Sequence, residues 1–319
     1  MDITAAIYTD AEKAREHLEA IHWPHGPICP TCGNAHADRI TKLKGKSTRP
    51  GVYKCNECRQ PFTVTVGTVF ERSKIPLNKW VLASHLMAAS KKGMSAHQMH
   101  RMLGVTYKTA WFMCHRIREA MKEDVASSGP LGGEGKVIEA DETYWGRRED
   151  GYVSPARKGK PYLKRKKPMK NAIFGLVERG GKTRTVHVQH ATRDAVREVL
   201  VTTTDRKSTL YTDESNLYPI TGQEFAKHDT VKHSAKEYVR GDVHSNTIEN
   251  VFSVFKRGMV GVYQHCGEAH LHRYLAEFDF RYNRRAALKV SDAERAEDLL
   301  RMARDKRLTY RRIGEAANA

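Results

Sequence analysis

The sequence predicts an α/β protein assembled from modules: a small metal-stapled ribbon, then a helical segment, then a larger mixed layer of strands and helices. Three observations carry this. Two C-x-x-C pairs lie in a turn-rich stretch near the start, and helical periodicity runs from Ile75 to Met121. Past a glycine-rich stretch the order becomes three strands, a helix, a strand and more helices, the pattern of a mixed α/β layer. At 319 residues, two or three domains are expected.

Residues 1–22 read as a short amphipathic helix with Ala14, Leu18 and Ile21 at helical spacing. Residues 23–72 form the predicted ribbon. Cys29 and Cys32 are separated by 22 residues from Cys55 and Cys58, and two such knuckles place four thiolates around one Zn2+. The metal supplies the stability that so small a module lacks, and a closed four-cysteine site is structural. Gly33 suits the tight turn after the first knuckle, and the alternation Phe62 to Val66 suits a strand. His22 and His25 are surplus to the four ligands and read as exposed polar residues, whereas Cys114 and Cys266 read as small buried residues.

Residues 73–126 predict three helices, with Pro76 at a first helical position and breaks at Gly93 and Gly104. The run Met94 to Trp111 has the shape of a helix-turn-helix. Ser95 caps its first helix with Gln98 three residues on, Gly104 opens the turn, and Tyr107, Lys108 and Thr109 begin the helix that would face a major groove. A plain helical bundle satisfies the same pattern; Lys91, Lys92, Arg101, Arg116 and Arg118 favour DNA. Residues 127–136 read as a linker, with a domain boundary near 130.

Residues 137–285 carry the mixed layer: strands over Lys136 to Tyr144, Asn171 to Glu178, Arg184 to His190 and Ser208 to Asp213, a helix over Thr192 to Val201, and helices from about Thr247. Residues 286–319 read as one more helix, Ser291 to Ala303, and a basic tail. Acids cluster at the strand ends. Strand alternation puts Asp141 on the face of Glu139 and turns Glu142 the other way, which does not choose among them. Asp213 ends a later strand. Glu249 begins a helix whose apolar face is Ile248, Val251, Phe252, Phe255 and Met259, with Ser253 and Lys256 along the stripe of Glu249. Asn246 and Glu249 also have the spacing of a capping box, a reading compatible with a presented acid.

The chain carries a net charge of +18. Ten Lys or Arg against Glu149 and Asp150 fall in residues 147–170, among them Lys164, Arg165, Lys166 and Lys167, whereas residues 1–70 contribute only +2. Such a run is either a solvated face or a cationic arm that grips phosphates, with Tyr152 and Tyr162 available to stack on bases. No run approaches the ~18 apolar residues of a membrane span, and the start lacks the pattern of a signal peptide. A cytoplasmic, nucleoid-associated protein is expected.

The order of C-x-x-C pairs, helical segment, Asp141-Glu-Thr-Tyr-Trp-Gly146, Tyr211-Thr-Asp213, Asn246-Thr-Ile-Glu-Asn-Val-Phe-Ser-Val-Phe-Lys-Arg-Gly258 and Arg273-Tyr-Leu-Ala-Glu-Phe-Asp-Phe-Arg-Tyr-Asn283 resembles bacterial insertion-sequence transposases. The group is the DDE transposases with an N-terminal zinc ribbon, called ISXO-type, and the resemblance spans about residues 20–285. It implies a ribonuclease H-like catalytic core in which Asp141, Asp213 and Glu249 hold Mg2+ or Mn2+. Lys256, with Arg257 beside it, matches a trailing lysine that holds the transposon end. Implied too are cleavage at the element's ends, attack of the freed 3′-OH on target DNA, and a homo-oligomer on double-stranded DNA bearing the terminal inverted repeats. Two other readings are a zinc-ribbon DNA-binding regulator with structural acids, and a transposase remnant that binds without cutting. Convergence of the three acids discriminates among them.

Overall fold

A computed structural model describes residues 2–123, 125–147, 170–235, 237 and 239–309. The predicted arm, with Lys164, Arg165, Lys166 and Lys167, lies outside the described residues. The chain divides into two units, one from Met1–Lys122 with Lys289–Ala319 and the other from Glu123–Leu288. The unit boundary therefore precedes the glycine-rich stretch.

The first unit begins with α1 (Ala6–Thr9) and α2 (Ala11–His22), divided at Asp10 because its carboxylate caps α2 through the amides of Glu12 and Lys13. The ribbon follows as a three-stranded antiparallel sheet of β1 (Ile40–Lys42), β2 (Tyr53–Cys55) and β3 (Pro61–Phe62). The strand expected through Val66 ends at Phe62, because the Val66 amide turns back to the Thr63 carbonyl at 3.0 Å. Helices α3 (Leu77–Ala89), α4 (Ala96–Leu103) and α5 (Tyr107–Met121) come next. Pro76 stands one residue outside α3, at its cap. Ser95 caps α4 by accepting from the Gln98 amide, Gly104 closes it at φ +60°, and Thr106 caps α5.

The second unit opens with α6 (Val125–Ser128) and β4 (Leu131–Gly132). The expected linker is thus structured: β4 pairs in parallel with the later β8, and the Gly133 amide donates to Ser208 Oγ at 2.8 Å. The main sheet follows with β5 (Val137–Trp145), β6 (Asn171–Glu178) and β7 (Thr183–Val188), an antiparallel meander. After α7 (Arg193–Thr203) and β8 (Thr204–Asp205) come β9 (Thr209–Thr212), α8 (Pro219–Gly222) and β10 (Lys227–Thr230). The sheet order is β10-β9-β5-β6-β7, with β9 parallel to β5 and β10 parallel to β9. Next are α9 (Asn246–Gly258), a single π-turn over Met259–Tyr263, and α10 (Leu271–Asn283).

Helices cover both faces of this sheet. Phe174 and Leu176 of β6 pack with Val196, Leu200 and Tyr218, while Ile173 and Val177 on the opposite face pack with Ile248, Phe252, Phe255 and Phe278 of α9 and α10. This period-two division follows from the apolar run of β6, buried on both sides.

The last helix, α11 (Asp292–Arg301), starts at a capping box of Ser291 and Glu294 and belongs to the first unit. There Arg295 donates to Ala88 O at 3.1 Å, and the Val69 amide to Ala303 O at 3.0 Å. His22, expected to be exposed, is buried, and its Nε2 bonds Leu300 O at 2.8 Å.

Candidate functional site

In the ribbon, the knuckles bring Cys29, Cys32, Cys55 and Cys58 together, with all four sulfurs within 4.8 Å of one another. Cys29 Sγ lies 3.6 Å from Cys58 Sγ, and Cys32 Sγ 3.6 Å from Cys55 Sγ. Four thiolates held about 2.3 Å from one tetrahedral Zn2+ stand roughly 3.8 Å apart, so the donor set fits the ion. The amide of Cys58, with that of Glu57 and the Asn34 side chain, points at Cys55 and pulls its thiol down to about 6.

In the second unit, Asp141 is the central residue of β5 rather than at its end, Asp213 directly follows β9, and Glu249 sits in the first turn of α9. All three line one cavity of about 470 Å³, together with Glu142, Thr143, Phe252, Ser253, Lys256 and Arg257. Parallel pairing of β5 with β9 runs to Glu139 opposite Tyr211, so Asp141 and Asp213, each two residues farther on, come side by side. Helix α9 reaches the same place because it lies on the face of β6 at Gly175, the register partner of Asp141. Lys256 and Arg257 are exposed at the far end of α9, two turns beyond Glu249. Lys108 is exposed at the start of α5, in the other unit.

Two of these carboxylates are held by short polar contacts. The Glu142 amide donates to Asp141 Oδ1 at 2.7 Å, and the Ser215 amide to Asp213 Oδ1 at 3.0 Å. Burial, reinforced by the charges of Asp213, Glu142 and Glu249, pushes the Asp141 carboxyl up to about 7. Burial, with the charge of Asp213, also raises Glu142. A bound cation would relieve this repulsion, and carboxylate oxygens are the ligands Mg2+ and Mn2+ prefer.

Glu142 was not distinguishable from its neighbours by alternation. It does lie on the face opposite Asp141, where it accepts from the buried Tyr218 hydroxyl, and it also lines the cavity. Glu139 shares the face of Asp141 but is fully buried and turned to the start of α9: the amides of Thr247 and Ile248 donate to its Oε2 at 2.8 and 3.1 Å. The capping box of Asn246 and Glu249 does not form. Asn246 is already helical, Ser245 stands at the cap, and the first-turn amides go to Glu139 instead.

Comparison with known proteins gives concordant matches. Residues 130–283 match the family model of the ISXO2-like transposase domain, and residues 9–61 that of the transposase zinc-ribbon domain. An uncharacterized protein in transposable element ISH50 of Halobacterium salinarum is 29% identical over 265 residues, which is 78% of this chain and 83% of that protein. Among solved structures, the Mos1 strand transfer complex aligns over 70% of this chain and 74% of its own, at 11% identity and a TM-score of 0.28. A pre-cleavage Mos1 transpososome aligns over 63% and 76%, at 8% identity and a TM-score of 0.19.

Proposed function

The chain belongs to the ISXO2-like transposase family, and from that premise we propose that it cuts DNA at the ends of its insertion sequence and joins the freed 3′-OH to target DNA. The observation that carries the proposal is the convergence of Asp141, Asp213 and Glu249, from three separate elements, on one cavity with Lys256 and Arg257. The sheet order, an antiparallel meander extended by two parallel strands, agrees with a ribonuclease H-like core.

In this reading Asp141, Asp213 and Glu249 hold Mg2+ or Mn2+. Two such ions, when bound, activate the attacking oxygen and stabilise the leaving oxygen of an in-line displacement at phosphorus. The remaining work belongs to the chain. Lys256 and Arg257 grip the phosphates of the element end and fix its approach to the acids. The Glu142 and Ser215 amides hold Asp141 and Asp213 in place before DNA arrives. Helices α4 and α5, joined at Gly104, act as a helix-turn-helix, with Lys108 meeting the terminal repeat. Lys164, Arg165, Lys166 and Lys167 add phosphate contacts. Synapsis of two ends requires at least two copies of the chain, working in the cytoplasm at the nucleoid.

The test is cleavage of a labelled duplex carrying the element's own end, in Mg2+ or Mn2+. Asp141→Ala and Asp213→Ala should lose cleavage while keeping DNA affinity. Retained cleavage in either variant would remove the assignment.

A further inference from the structure

Two positions before Asp141 on β5, a buried carboxylate pairs with a half-buried guanidinium that the proposed chemistry does not use. Glu139 is 0% exposed, two positions before Asp141 on the same face of β5. Arg179, one residue past β6, donates from Nε to Glu139 Oε1 at 2.6 Å. Removing a carboxylate from water is costly, and a single partner rarely offsets it, so a buried pair that persists is expected to be bonded on every side. This one is. Glu139 also accepts from the Thr247 amide and hydroxyl at 2.8 Å each and from the Ile248 amide at 3.1 Å, and His244 Nδ1 lies 3.4 Å away.

The partners of this pair belong to the elements that carry the acids. Thr247 and Ile248 are in the first turn of α9, immediately before Glu249. Arg179 Nη1 donates to Asp242 O at 2.7 Å and its Nη2 to His244 O at 3.1 Å, which pins the segment leading into α9. The guanidinium also lies 4.9 Å from the ring centre of Tyr211, on β9 two residues before Asp213. One carboxylate and one guanidinium therefore touch β5, β9 and the start of α9 together.

We propose that Glu139 and Arg179 are positioning residues: the pair sets the first turn of α9 against β5 and so fixes Glu249 in the cavity relative to Asp141 and Asp213. This rests on the metal-holding reading of those acids for its consequence, but not for its geometry. Neither residue of the pair lines the cavity. A pair that served only as fold glue would lower stability and leave the folded site unchanged, whereas a positioning pair moves the site in protein that remains folded.

The test uses the full zinc-loaded chain and the variants Glu139→Gln and Arg179→Lys. Arg179→Lys keeps the charge beside Glu139 but loses the two carbonyl bonds, so it separates position from charge. It also carries the test alone if Glu139→Gln does not fold. Amide hydrogen exchange of the peptide spanning residues 245–252 is read by mass spectrometry, and Mn2+ affinity by calorimetry, at a temperature where circular dichroism shows folded protein. Expected are at least tenfold faster exchange in that peptide and at least tenfold weaker Mn2+ binding. Exchange and affinity within twofold of wild type in folded Arg179→Lys would overturn the proposal. Wild type taking up no Mn2+, or Asp141→Ala binding it equally well, would instead overturn the triad, and the exchange result would then decide the pair by itself.

Discussion

Replacing Gly175 with alanine tests the packing that delivers the third acid. Gly175 sits in the middle strand of the meander opposite Asp141. A Cβ added there would lie 2.6 and 2.7 Å from Phe252 Cζ and Cε1 and 2.8 Å from Ile248 Cδ1. Carbon atoms in good contact stand about 3.5–4.0 Å apart, so α9 must retreat by about 1 Å. The obstructing side chains have no room to swing aside, since Ile248 is 0% and Phe252 4% exposed. An extra methyl forced into a packed core costs about 1–3 kcal/mol, and each kcal/mol lowers Tm by about 2–4 °C in a unit of this size. A displacement near 1 Å at Glu249 reduces turnover by up to about 10²-fold. Thermal unfolding and single-turnover cleavage of the element end measure the two effects. Phe252→Leu in the same chain opens space beside the new methyl and should restore most of the loss. A Gly175→Ala chain that unfolds within about 0.5 kcal/mol of wild type and cleaves at its rate would refute the close seating of α9 on β6.

The cysteine geometry predicts one tightly held zinc per chain, and Cys55→Ser should lose it; elemental analysis finding none in wild type would remove the ribbon assignment. Asp279 accepts from the amide and hydroxyl of Thr185, and its burial pushes the carboxyl up to about 7. A raised acid favours the fold fully below its unfolded value and loses that contribution as pH rises through the folded one. Relative to Asp279→Asn, wild type should therefore lose up to about 1.4 kcal/mol per pH unit between about pH 4 and 7, read from urea midpoints; a difference that stays flat across this window would contradict it. Deleting residues 149–167 should weaken DNA binding and flatten its salt dependence, which would approach a slope of about −9 if all ten cations of the intact segment met phosphates. Unchanged affinity and slope would make the segment a solvated linker.

What was legible in the sequence is what local chemistry writes there. Cysteine spacing, the Ser95 and Gln98 cap, the apolar run of β6 and the stripe of Glu249, Ser253 and Lys256 each depend on residues close in the chain. The residues that escaped depend on distant partners. Glu139 and Asp141 share a face, and only the start of α9, more than a hundred residues later, turns one into a buried cap and leaves the other in the cavity. Strand β10 reads Lys-His-Asp-Thr, with no apolar alternation, and exists as an edge strand because β9 offers it a parallel partner. His22 looked exposed because its cover, α11, arrives from the opposite end of the chain. Alternation from Phe62 to Val66 resembled a strand, but the turn bond at Thr63 prevailed.

Asp141, Asp213 and Glu249 are proposed as one divalent-metal site. Fe2+ placed in that site and treated with hydrogen peroxide and ascorbate generates hydroxyl radicals that cut nearby backbone, so cleavage fragments map which segments surround the metal. Cuts are expected near residues 141, 213 and 249, suppressed by excess Mg2+ and absent in Asp213→Asn. Fragments confined to the cysteine knuckles, or cuts at the three positions that persist in Asp213→Asn, would contradict that site.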